Sequence, residues 1–143
     1  VARISTRELK LFDDAIEAGV DIIMVGHPIV QGAVDSCGRP STISKEVVGS
    51  LRRKFGGLIV TDSISMRGLT KFYGKDIDKI IYRDLINAGN DLILEYGNSV
   101  SYESIATRIK ELVKLVMCGK IKEKRLDKSV KKILAKKGYS IIE

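Results

Sequence analysis

The feature that most restricts the fold is a recurrence. Three short apolar runs, Val20-Asp21-Ile22-Ile23-Met24-Val25, Leu58-Ile59-Val60 and Asp91-Leu92-Ile93-Leu94, each follow a helical stretch that stops at glycine: Gly19, Gly56-Gly57 and Gly89. Each run then leaves into a polar loop. Val25, Val60 and Leu94 stand about 35 residues apart, one strand plus one helix, so the chain reads as tandem β/α units around a parallel sheet. Short apolar runs bounded by Gly and polar residues are the pattern of strands buried in a parallel sheet. Parallel pairing with right-handed crossovers puts all the exit loops on one edge of the sheet. His27, Asp62 and Asn98 lie on these loops and are thereby placed in one neighbourhood.

The helices follow from periodicity. Leu9, Phe12, Ala15 and Ile16 share a face of a helix over about Arg7 to Ala18, with Thr6 as its expected cap. Residues 29–42, with Gly32, Gly38 and Pro40, read as a long loop. Ser44 is an N-cap, with Ile43 and Val48 as a hydrophobic staple, and Val47, Val48, Leu51 and Phe55 form the buried stripe. Ser63 to Tyr73 reads as a loop with one helical turn. Further helices are expected over about Asp76 to Ala88, with Ile77, Ile80, Ile81 and Leu85 inward, and over Tyr102 to Met117, with Ile105, Ile109, Leu112, Val113 and Val116 inward. The last runs from about Lys124 to Lys136, with Leu126, Val130, Ile133 and Leu134 inward. Asp91 to Glu95 reads as the third strand.

Three units do not close an eight-unit barrel, which takes at least about 200 residues. The 143 residues are thus either a small open sheet or the back of a barrel. The composition, 44% hydrophobic and 30% charged, is that of a globular domain with a sizeable core. No apolar run reaches the length of a membrane span, and the first residues carry no signal-peptide pattern. The net charge of +7 admits an anionic partner, but the lysines fall on helices without interleaved aromatics, the pattern of a solvated face rather than of a nucleic-acid site. Cys37 and Cys118 have no metal-type spacing and read as free thiols, with one disulfide left open. With one histidine and no carboxylate cluster, neither a metal site nor a cofactor is expected.

Asp62 is the leading candidate for chemistry. A carboxylate at the C-terminal end of a parallel strand is where α/β folds keep their reactive groups. Between Thr61 and Ser63 it can equally cap the next turn. His27, at the end of the preceding run, reads either as a site residue or as a histidine satisfied by backbone at a strand end.

Gly57-Leu58-Ile59-Val60-Thr61-Asp62-Ser63-Ile64-Ser65-Met66-Arg67-Gly68 resembles the nucleophile segment of family 3 glycoside hydrolases, in their β-N-acetylglucosaminidase branch. The stretch from Ala18 to His27 is similar to the strand before it, Ala88 to Leu94 to the strand after it, and Arg125 to Leu134 to the closing helix. The resemblance covers nearly the whole chain in order. It implies the C-terminal half of a TIM-type (β/α)8 barrel, from about its sixth strand, with residues 1–143 a single partial domain. It further implies a retaining exo-β-N-acetylglucosaminidase of cell-wall sugars, in which Asp62 is the nucleophile and His27, Met66 and Asn98 border the sugar. The family's Lys-His-Phe-Pro-Gly-His-Gly segment and its Asp-His acid/base pair have no counterpart here. A fragment without them is expected to be inactive alone and to need the missing half or a dimer partner. Another β-glycosidase specificity, or an inactive half-barrel, remains the alternative. A bacterial source in peptidoglycan recycling is implied, whether cytoplasmic or exported.

Overall fold

The computed structural model describes residues 1–74, 77–96 and 100–140. The elements run β1 (Ala2–Ile4), α1 (Thr6–Glu17), β2 (Ile22–Val25), β3 (Val30–Gly32), a 3-10 turn (Ser41–Ile43), α2 (Lys45–Lys54), β4 (Leu58–Thr61), α3 (Arg67–Tyr73), α4 (Ile77–Ala88), α5 (Tyr102–Met117) and α6 (Glu123–Lys136). All pairing among them is parallel. β2 lies on β4 in the register Ile22 to Leu58 through Val25 to Thr61, and β1 lies on β3.

Ser5 rather than Thr6 caps α1. Its hydroxyl accepts from the Glu8 N–H at 3.3 Å, and the Glu8 carboxylate accepts from the Ser5 N–H at 2.7 Å. This reciprocal box places Thr6 inside the first turn. Ser44 caps α2 as its sequence position requires, accepting from the Val47 N–H at 3.3 Å. The segment expected to be a loop over 29–42 contains β3, which pairs with the N-terminal strand β1 as a second small sheet. Gly32 makes that pairing possible: its φ is +115°, and a Cβ there would lie 2.4 Å from the Ile4 carbonyl oxygen. The buried Ser36 hydroxyl closes the turn by accepting from the Val30 N–H at 3.0 Å.

The expected third strand reduces to one parallel bridge, Val60 to Leu92. The cause is Thr61. Its Oγ1 accepts the Leu94 N–H at 3.0 Å, where a regular ladder would offer a main-chain carbonyl. The helical turn expected between Ser63 and Tyr73 is the seven-residue α3, longer than one turn and pinned by the fully buried Leu69.

Two apolar clusters hold these elements. Ile23, Val25, Val48, Phe55, Ile59 and Ala88 join β2, β4 and α2, while Ile43, Ile64, Leu69, Ile81, Tyr82 and Leu85 join the Asp62 loop to α3 and α4. Each fully buried aliphatic side chain contributes about 1.5–3 kcal/mol. The apolar stripe of α5 is inward only in part: Leu112 packs against the second cluster and Val116 is half-buried, but Ile105, Ile109 and Val113 are exposed, as is Val130 on α6. On β2, Ile23 and Val25 are buried while Ile22 and Met24, on the opposite face, are 46% and 51% exposed. On β2 one face is therefore covered and the other open, while β4 is buried or half-buried on both faces.

Under the start of β4 lies a charged cluster. Asp91, its side chain 2% exposed, accepts from the Ile59 N–H at 3.0 Å, the Ser129 hydroxyl at 2.6 Å and the Arg52 guanidinium. Arg52 also donates to the Gly57 carbonyl, and Arg125 to the carbonyls of Ile86 and Asn90. Burial pushes the Asp91 carboxyl up, but the hydrogen bonds from Ser129 and Ile59 and the Arg52 charge outweigh it and hold it below the usual carboxylate range. The cluster fastens α2, β4 and α6 at the end of the sheet opposite Asp62.

Candidate active site

Asp62 follows the last residue of β4. Its main-chain N–H donates to the Val25 carbonyl at 2.9 Å, which continues the β2–β4 ladder to the rim. Its side chain projects into the exit loop and is half-buried. Oδ1 accepts from the Ser63 N–H at 2.7 Å, and Oδ2 has no hydrogen-bond partner among the described residues. A carboxylate with one oxygen oriented by an amide and the other open can act as a nucleophile.

His27 stands two residues past the end of β2, level with Ser63 in the β2–β4 register, and is buried. Its Nε2 lies 2.9 Å from the Ser63 carbonyl oxygen and its Nδ1 lies 2.8 Å from Thr42 Oγ1. The imidazole thus reaches across to the residue beside Asp62, and both of its nitrogens are taken by the protein. The Ser63 and Ser65 hydroxyls are 2.8 Å apart, and Ser65 Oγ donates to the Tyr96 carbonyl at 3.1 Å. The third exit segment is thereby drawn to the same edge. Met66 is exposed at the cap of α3, and Arg67, exposed, opens that helix. Asn98 lies outside the described residues.

Three participants are not signalled by the sequence pattern. Thr42 sits in the segment read as a loop, and only its contact with His27 marks it. Gly68 packs on His27 so tightly that a Cβ would be 2.8 Å from the His27 Cβ. Glu95 is a second carboxylate on this side, but one oxygen accepts from the Tyr82 hydroxyl and the other from Arg108. That clamp ties the third segment to α4 and α5 and leaves Glu95 no free oxygen for proton transfer. A hollow of about 140 Å³ lies beside it, lined by Ser65, Thr70, Tyr82, Glu95 and Arg108 among others. A larger hollow of about 350 Å³, lined by Cys37, Arg39 and Arg83 among others, includes neither Asp62 nor His27. Both cysteines are free and exposed. Among the described residues no group of three or more His, Cys, Asp or Glu could hold a metal ion, and no helix is long and apolar enough to cross a membrane.

A half-buried carboxylate just past the end of a parallel strand is where barrel and open α/β folds keep their reactive groups. The comparisons name the family. The profile of the glycosyl hydrolase family 3 N terminal domain matches residues 1–135, and the chain belongs to that family. None of the curated proteins compared with it matches. Among solved structures, a glycoside hydrolase family 3 β-N-acetylglucosaminidase from Paenibacillus sp. str. FPU-7 superposes with a TM-score of 0.77 at 30% identity, over 99% of this chain and 28% of that one. A β-N-acetylhexosaminidase from Beutenbergia cavernae DSM 12333 gives 0.78 at 23% identity, over 96% of this chain and 40% of that one. A β-glucoside phosphorylase, BglX, gives 0.72 at 24% identity, over 92% of this chain and 24% of that one. The fold matches part of the family's TIM-barrel-like domain, and the chain spans well under half of each of these structures.

Proposed function

We propose that this chain carries the nucleophile side of a retaining exo-β-N-acetylglucosaminidase that removes terminal N-acetylglucosaminyl residues from cell-wall sugars. Asp62 attacks the anomeric carbon through Oδ2, forming a glycosyl-enzyme that water then hydrolyses. Met66 and Asn98 border the sugar, and His27 belongs to the same site. A retaining reaction needs a second group about 5–5.5 Å from the nucleophile to protonate the leaving oxygen. The family's Asp-His acid/base pair has no counterpart in this chain and Glu95 is clamped, so we assign the acid/base to the part of the barrel that this chain does not span. That part also covers the open face of β2 at Ile22 and Met24.

The observation that carries the reading is the placement of Asp62: first residue past the end of a parallel strand, one oxygen held, one free, in a chain of this family. The test is trapping in the complete protein with a 5-fluoro-N-acetylglucosaminyl fluoride, followed by peptide mapping. Label on Asp62 is expected, and label on any other residue removes the assignment. The resemblance to a β-glucoside phosphorylase favours a second reading, in which the same nucleophile serves a sugar without the acetamido group. Comparing kcat/KM for 4-nitrophenyl β-N-acetylglucosaminide and β-glucoside decides between them. A non-enzymatic half-barrel that folds by pairing with a second copy would instead show as a stable dimer of the isolated chain in sedimentation, with no Asp62 labelling in any context.

A further inference from the structure

The nucleophile's loop is held by a buried side chain just past the end of the neighbouring strand. A main-chain carbonyl only accepts, so the 2.9 Å contact with Ser63 requires a proton on His27 Nε2. Nδ1 is paired with the Thr42 hydroxyl at 2.8 Å. Thr42 is itself fully buried, and its carbonyl accepts from the Asn90 side chain at 2.8 Å, which anchors the main chain of the residue that orients the ring. Ser63 is therefore gripped on its carbonyl side by His27, while its N–H grips Asp62 Oδ1 at 2.7 Å. The far end of the loop closes on the same residue at Gly68, where the Cβ of any other amino acid would stand 2.8 Å from the His27 Cβ.

We propose that His27 is a positioning residue: by holding the Ser63 carbonyl through Nε2–H it aims the Ser63 N–H at the Asp62 carboxylate and sets the direction of Oδ2. The inference rests on the reading of Asp62 as the nucleophile. Sugar contact by either ring nitrogen would break a buried hydrogen bond and leave its partner unsatisfied.

The two nitrogens can be separated by substitution. A glutamine side-chain amide reaches the place of imidazole Nε2, whereas an asparagine amide ends near Nδ1. In the complete protein, His27→Asn is expected to lower kcat about 100-fold with KM within about threefold, as a misaimed nucleophile requires. His27→Gln is expected to recover kcat to within about tenfold of the wild type by the same logic. An independent readout without substrate is amide hydrogen exchange at Ser63, expected to be faster in His27→Asn and close to wild type in His27→Gln. A raised KM at unchanged kcat would make His27 a sugar ligand and overturn the proposal, as would Asn and Gln variants that behave alike. Should the wild-type protein hydrolyse no β-glycoside, the glycosidase reading fails, and Ser63 exchange alone then decides the positioning role. If His27→Asn does not fold, Thr42→Val replaces it. Faster Ser63 exchange supports the account and unchanged exchange overturns it.

Discussion

Two aspartates sit at opposite ends of β4, and their surroundings differ in kind. Asp91 lies under the start of the strand with both oxygens occupied by Ile59, Ser129 and Arg52, and its side chain is 2% exposed. Asp62 lies past the end of the strand with one oxygen bonded to the adjacent amide and the other open. The first arrangement offsets the cost of a buried charge by saturating it. The second leaves a charge available. In parallel β/α architectures the N-terminal face of the sheet is where stability is set and the C-terminal face is where chemistry occurs. Here the two faces are told apart by how completely each carboxylate is satisfied.

Removing each aspartate in turn should break the pair in opposite ways. Asp62→Asn in the complete protein is expected to lower glycosidase turnover by at least about 1,000-fold, while thermal denaturation shifts stability by no more than about 0.5 kcal/mol. Asp91→Ala is expected to cost about 3–5 kcal/mol of stability in urea titration, because Arg52 and Arg125 are left buried without their counter-charge. If both substitutions destabilise equally, the division of labour between the two ends is wrong. A smaller effect sharpens the comparison. The Asp91 carboxyl is held below its ordinary range in the folded state, so its contribution to stability is complete above the unfolded value of about 3.9 and is lost as pH falls through the lowered folded value. Stability measured from pH 5 downward should therefore fall less steeply in Asp91→Asn than in the wild type, and parallel curves would remove Asp91 from the acid transition.

The same contrast accounts for what was readable from the chain. β4 and α5 were legible because each is a local pattern: an apolar run bounded by Gly57 and Asp62, and a stripe from Ile105 to Val116 stopped by Gly119. The nearness of His27 and Asp62 followed from parallel pairing alone. The β1–β3 pair was not legible, since a three-residue strand has no period and its partner is a segment whose Gly and Pro content reads as loop. The third strand failed on one side chain, because Thr61 Oγ1 takes the bond that would have extended the ladder. The stripe on α5 was correctly placed on the helix but is partly buried only at Leu112 and Val116, because periodicity marks which face is apolar and not what covers it. The roles of Thr42 and Gly68 depend on contacts with a ring 15 and 41 positions away in sequence, and no spacing rule announces them.

The central claim is that Asp62 is the group that attacks the sugar, and chemical rescue tests it most directly. In Asp62→Gly, azide can enter the space of the lost carboxylate and attack the β-glycoside once from the opposite face. The account predicts that azide restores cleavage and that the product is the α-glycosyl azide. Absence of rescue, or a β-glycosyl azide, would contradict it, because the latter forms only when another residue still serves as the nucleophile.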